Sequence, residues 1–100
     1  MDKKKRHHSL EKIQATFVSV QALRITKTAT SDAAALDLEL EDIVSIIKAM
    51  KQAQFYKSMT SLASSEIWQD VYHVPHGGLV LYVKFTTDSE GYVLVSCKEK

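Results

Sequence analysis

The sequence predicts an α+β fold, with N-terminal helices packed on one face of a mostly antiparallel β-sheet. Two observations predict it. Apolar residues repeat at helical spacing through the first half, as in Leu10, Ile13, Phe17 and Val20. From Phe55 onward the period changes to two. Glycines in His76-Gly77-Gly78 and Asp88-Ser89-Glu90-Gly91 then mark connections short enough for hairpins. One hundred residues make one domain, 1–100, with a core that needs neither disulfide nor structural metal.

Taken in order, residues 1–8 read as a frayed, flexible arm. Lys3-Lys4-Lys5-Arg6 is a solvated charge block or, on a sharper reading, an arm that touches RNA phosphates. Ser9 caps a helix from Leu10 to about Leu23, with Glu11 in its first turn. Arg24-Ile25-Thr26-Lys27 is an edge strand or connector. Thr30 or Ser31 caps a second helix from Asp32 to about Leu38. A third runs from about Glu39 to Met50 and buries Ile43, Ile46, Ile47 and Met50. Its acidic start suits the positive helix end, which accounts for Glu39, Glu41 and Asp42 without a metal.

Strands follow at about 57–62, 66–74, 79–87 and 92–98. In the third, Leu79, Leu81, Val83 and Phe85 share a core face, and Val80, Tyr82, Lys84 and Thr86 share the other. In the fourth, Val93, Val95 and Cys97 form the core row, opposite Tyr92, Leu94, Ser96 and Lys98. The mixed face is free to carry a site.

Composition narrows the function. Net charge is only +1, which disfavours tight, non-specific binding to long duplexes but allows an enzyme that holds a few nucleotides. A lone cysteine, no apolar run near 18 residues and no signal peptide lead us to expect a cytoplasmic protein.

Lys57, Gln69, Tyr82 and Lys98 are the candidate chemical residues. Periodicity alone reads the two lysines as solvated, Gln69 as surface, Tyr82 as a half-buried sheet residue and Trp68 as core. Their convergence depends on strand register. If they converge, they suit cleavage of a phosphodiester by its own 2′-hydroxyl. Lysines would stabilise charge on the phosphorus oxygens. Tyr82 would move a proton or bind a phosphate oxygen, and neutral Gln69 would only orient. Tyr56 and Tyr72 would stack bases and Lys84 would add an RNA contact. His73 and His76 read as surface residues rather than a zinc or acid–base pair, and Cys97 as an inert buried thiol. Two rival readings are a non-catalytic protein- or RNA-binding module on the same face, and a histidine-based metal hydrolase.

Several blocks carry a family resemblance. Phe55-Tyr56-Lys57-Ser58-Met59-Thr60, Ile67-Trp68-Gln69-Asp70-Val71-Tyr72, Tyr82-Val83-Lys84 and Val95-Ser96-Cys97-Lys98-Glu99-Lys100 resemble the MqsR family of motility quorum-sensing regulator toxins, as does His7-x-x-Leu10. The resemblance spans the chain, although the helical half matches only in pattern. It implies a RelE-like fold and a type II toxin–antitoxin role. It implies a ribosome-independent endoribonuclease that cuts mRNA at short sequences, with no metal or other cofactor. It also implies catalytic roles for Lys57, Gln69, Tyr82 and Lys98. The implied partner is an antitoxin with a zinc-binding, toxin-contacting domain and a helix-turn-helix DNA-binding domain. Zinc would belong to that partner. His73 to Gly78 departs from the family pattern, and Cys97 stands where an aromatic is expected. Both bear on cleavage preference.

Overall fold

The computed structural model describes all residues, 1–100. Five strands form one antiparallel sheet in sequence order: β1 (Asp2–Lys3), β2 (Phe55–Thr60), β3 (Trp68–His76), β4 (Leu79–Asp88) and β5 (Gly91–Glu99). Three helices precede β2: α1 (Leu10–Thr16), α2 (Lys27–Ala34) and α3 (Leu40–Ala49). They cover one sheet face. Leu10, Ile13, Phe17, Ile43 and Ile47 pack there against Tyr72, Leu81, Val83, Phe85 and Leu94. Each such large side chain contributes about 1.5–3 kcal/mol by leaving water. No helix is long and apolar enough to cross a membrane.

The helical boundaries shift from those expected. α1 ends at Thr16, where Phe17 takes a non-helical φ of −91° and ψ of 57°. Val20–Ala22 continues only as a 3₁₀ turn. The β-branched Thr16, Val18 and Val20 weaken the helix here. α2 starts earlier than the acidic residue suggested, because the Thr26 hydroxyl accepts from the Ala29 N–H. α3 holds to its expected span. Its start is a reciprocal box, in which Asp42 accepts from the Glu39 N–H and Glu39 caps the N–H of Asp42.

The N-terminal arm is not frayed. Asp2 and Lys3 pair with Met59 and Ser58, adding an edge strand to β2. Beyond them Asp70, 0% exposed, accepts from the His7 N–H, the His8 N–H and the Ser58 hydroxyl at 2.7–3.1 Å. A buried carboxylate is costly without such donors. The arm supplies them, and thereby docks. Trp68 is half-buried rather than core. It lies under this arm, with the His7 ring stacked at 5.8 Å and Lys3 Nζ 4.2 Å from its centroid.

Two bulges set the faces. One falls between Phe55 and Lys57 against β3, so Tyr56 is the extra residue. The other falls on β5, where Lys84 pairs with Ser96 but Phe85 pairs with Leu94, which leaves Val95 extra. The expected Val93-Val95-Cys97 core row is therefore wrong. Leu94 and Cys97 are buried, whereas Val93 and Val95 are only partly so. The β3–β4 hairpin turns through Gly77 and Gly78, at φ 53° and 84°, the paired positive values a two-residue turn of this hand requires.

Replacing Asp70 with alanine strands its three donors. We expect a loss of about 3 kcal/mol, given about 1–3 kcal/mol for an unsatisfied buried group. Urea unfolding checks the loss, and faster amide exchange at His7 and His8 checks release of the arm.

Candidate functional site

The sheet face away from the helices carries the candidate residues. Register places them in three rows. Lys98, Tyr82 and His73 lie side by side on β5, β4 and β3. Ser96, Lys84, Val71 and Lys57 form the next row across to β2. Gln69 and Met59 begin the third, with Asp2 of β1 beside them. Lys57, Gln69, Tyr82, Lys98 and Lys84 thus share one face.

Tyr82 links the rows. Its hydroxyl lies 3.9 Å from the Met59 sulfur, so the side chain crosses β3 diagonally from β4 to β2. That puts the phenol beside Met59, whose cross-strand partner is Gln69. Lys98 Nζ and Lys84 Nζ stand 5.5 Å and 5.9 Å from the Tyr82 ring centroid. Burial raises the phenol's pKa, against the lowering charge of Lys57. Tyr82 is therefore a neutral, proton-bearing group at neutral pH.

The lysines differ. Lys57 Nζ donates to Asp2 Oδ2 at 2.8 Å, and this bond raises its pKa. It is a fixed positive charge. Burial lowers the pKa of Lys84, and the charge of Lys98 lowers it further. A cationic cluster of this kind suits the developing charge of a phosphoryl transition state.

Two predicted site residues fare differently. Tyr56, 43% exposed, reaches this face as the residue after core-facing Phe55, and the bulge lets Lys57 share the face with it. Its ring stacks on His73 at 4.2 Å and 22°, with Lys57 Nζ and Lys4 Nζ 5.6 Å and 5.1 Å from its centroid. Tyr72 is 0% exposed, packed edge-on against Phe55 and Phe85, and cannot stack a base. Burial pushes its phenol up to about 12. The alternation of β3 explains this, since Tyr72 pairs with the core residue Val83.

Three further side chains lie at this face that were not among the candidate site residues. His73 lies on the site face, and Asp2 and Lys4 arrive with the docked arm. The strand period held a signal for His73, because it alternates with Tyr72 and pairs with Tyr82. His76, three residues on, falls on the opposite side. There it lines a shallow cavity of about 270 Å³ with Asp42, Ser45, Ile46 and Ala49. The two histidines therefore do not pair. No group of three or more His, Cys, Asp or Glu side chains comes together in the chain.

Asp2→Asn should lower the Lys57 pKa toward the ordinary lysine value, because the carboxylate's hydrogen bond is what raises it. Titration of the Lys57 ¹³Cε resonance checks the direction.

The family model described as "Motility quorum-sensing regulator, toxin of MqsA" matches residues 5–99. The mRNA interferase toxin MqsR of Escherichia coli (strain K12) is 32% identical over 100 residues, covering 100% of both chains. The match includes all four strands that carry the lysines, Gln69 and Tyr82. This chain belongs to the motility quorum-sensing regulator family, the toxins of MqsA.

Proposed function

We propose that the chain acts as a toxin by cutting mRNA, as a ribosome-independent endoribonuclease working without metal on the uncovered sheet face. One observation carries the reading. Lys57, Lys84 and Lys98 surround a protonated Tyr82 on the sheet face away from the helices.

The chemistry follows from the charges. The substrate's 2′-hydroxyl attacks its own phosphate, and negative charge grows on the non-bridging oxygens. Lys57, held ammonium by Asp2, and Lys98 lie ready to stabilise it. Tyr82 donates a hydrogen bond or a proton, which its raised pKa permits. Gln69 orients the phosphate or base. Tyr56 offers a ring for base stacking, worth about 1–3 kcal/mol per base. Tyr72 drops out of this role because it is buried. The products are a 2′,3′-cyclic phosphate, or its hydrolysed form, and a 5′-hydroxyl.

A toxin of this family implies an antitoxin partner and an RNA substrate. The finer reading gives that antitoxin a zinc-binding, toxin-contacting domain and a helix-turn-helix domain, with the toxin cytoplasmic and meeting DNA only through the complex.

The test is incubation of the protein with a defined single-stranded RNA in excess EDTA, followed by end-group analysis. We expect discrete cuts with cyclic-phosphate ends, reduced at least about 100-fold by Lys57→Ala, Tyr82→Phe or Lys98→Ala, given the usual weight of one electrostatic or acid–base group. Full cleavage by a folded triple variant, or cuts that vanish with EDTA, would sink the assignment.

A further inference from the structure

The site described above has cations and an acid but no assigned proton acceptor. Lys57 is held as an ammonium by Asp2. Tyr82 is held as a phenol by burial. Gln69 does not titrate. Attack by a 2′-hydroxyl needs a group that takes its proton.

We propose that His73 is that group: the imidazole accepts the 2′-hydroxyl proton from the nucleotide held between the Tyr56–His73 stack and Tyr82. The inference rests on the reading of the sheet face as the cleavage site. Its geometry is specific. His73 and Tyr82 are direct cross-strand partners on the uncovered face, with ring centroids 6.2 Å apart. Tyr56 covers one face of the imidazole at 4.2 Å, which fixes the ring plane. The bulge between Phe55 and Lys57 makes that stack possible. The histidine therefore stands in a fixed orientation beside the acid, within the same row as Lys98.

The surroundings keep His73 neutral. Tyr56 faces it from β2 and Tyr82 from β4. Lys98 stands beyond Tyr82 on β5, and Lys100 follows at the end of that strand. No carboxylate faces it. Burial, and then the charge of Lys100, lower its pKa from the ordinary imidazole value of 6.5. At neutral pH the ring has a free nitrogen lone pair to accept with.

The step balances as follows. The 2′-O–H proton passes to an imidazole nitrogen of His73, and the 2′-oxygen forms a bond to phosphorus. The bond from phosphorus to the 5′-oxygen breaks, and the leaving oxygen takes the Tyr82 phenol proton. The imidazolium and phenolate are restored by proton exchange through water. No oxidant, metal or other reactant is needed.

Single-turnover cleavage of a single-stranded RNA between pH 5 and 8 tests the assignment, with wild type, His73→Phe and His73→Gln. Phenylalanine keeps an aromatic ring for Tyr56 but has no proton acceptor. Glutamine is the alternative should the larger ring fail to fold. For the wild type the rate should climb with pH through a pKa below about 6.5 and then level off, because a base works only when deprotonated. Either variant should lose about 100- to 10,000-fold in rate and lose that acidic limb, and His73→Phe, which keeps the stacked ring, should keep its affinity for fully 2′-O-methylated RNA. Imidazole added to His73→Gly should restore part of the rate. Variants that cut at the wild-type rate with the limb intact would overturn the inference. So would a loss of affinity that accounts for the whole rate loss. Retained cleavage in Lys57→Ala and Tyr82→Phe would instead overturn the site itself, so the two failures are distinguishable.

Discussion

The buried carboxylate of Asp70 is the constraint on which the site face depends. A charge taken out of water must be met by donors. Here they come from two distant places, the backbone of His7 and His8 and the hydroxyl of Ser58. One side chain on β3 therefore fastens the start of the chain to β2. Without that bond the edge strand β1 has only two paired residues. With it, Asp2 is held beside Lys57, and Lys3 and Lys4 lie over Trp68 and Tyr56. The arm belongs to the site's electrostatics because a group on the core face requires it to dock.

The two bulges act on the same face by different means. At Tyr56 the extra residue lets both Tyr56, stacked on His73, and Lys57 face away from the helices, although Phe55 before them packs on the core. At Val95 the extra residue lets Leu94 enter the core while Ser96 and Lys98 stay on the site side. Bulges are frequent beside active sites because they re-aim single side chains without disturbing the sheet around them. Between them, an otherwise regular meander presents lysines, a phenol and an imidazole in adjacent rows.

Much of this was legible in the sequence, and the exceptions have physical causes. The change of period at Phe55 located the sheet, and the glycines located both hairpins. The alternation of β4 placed Tyr82 and Lys84 on the open face, as found. Alternation failed at Val93 and Val95, because a bulge shifts the phase by one and leaves no mark in a pattern of apolar residues. Tyr72 was assigned to RNA by its chemistry, whereas its register against Val83 puts it in the core. The arm read as frayed because its charges suggested solvent, while its anchor is a single aspartate more than sixty residues away. Long-range polar contacts of this kind lie outside any local period. The strand spacing of His73 and His76 did carry their separation onto opposite faces.

Cys97 gives the molecule a built-in clock. It is the only thiol, lies in the core row opposite Val83, and is 1% exposed. Burial pushes its pKa up to about 11, so the reactive thiolate is scarce even when a reagent is near. An alkylating reagent can reach it only when β5 parts from β4 or the helices lift away. The neighbouring residue in that strand is Lys98, so those captures that follow parting of β5 from β4 also report displacement of that lysine. Local opening around β5 can thus be timed in the unmodified protein, without introducing a label.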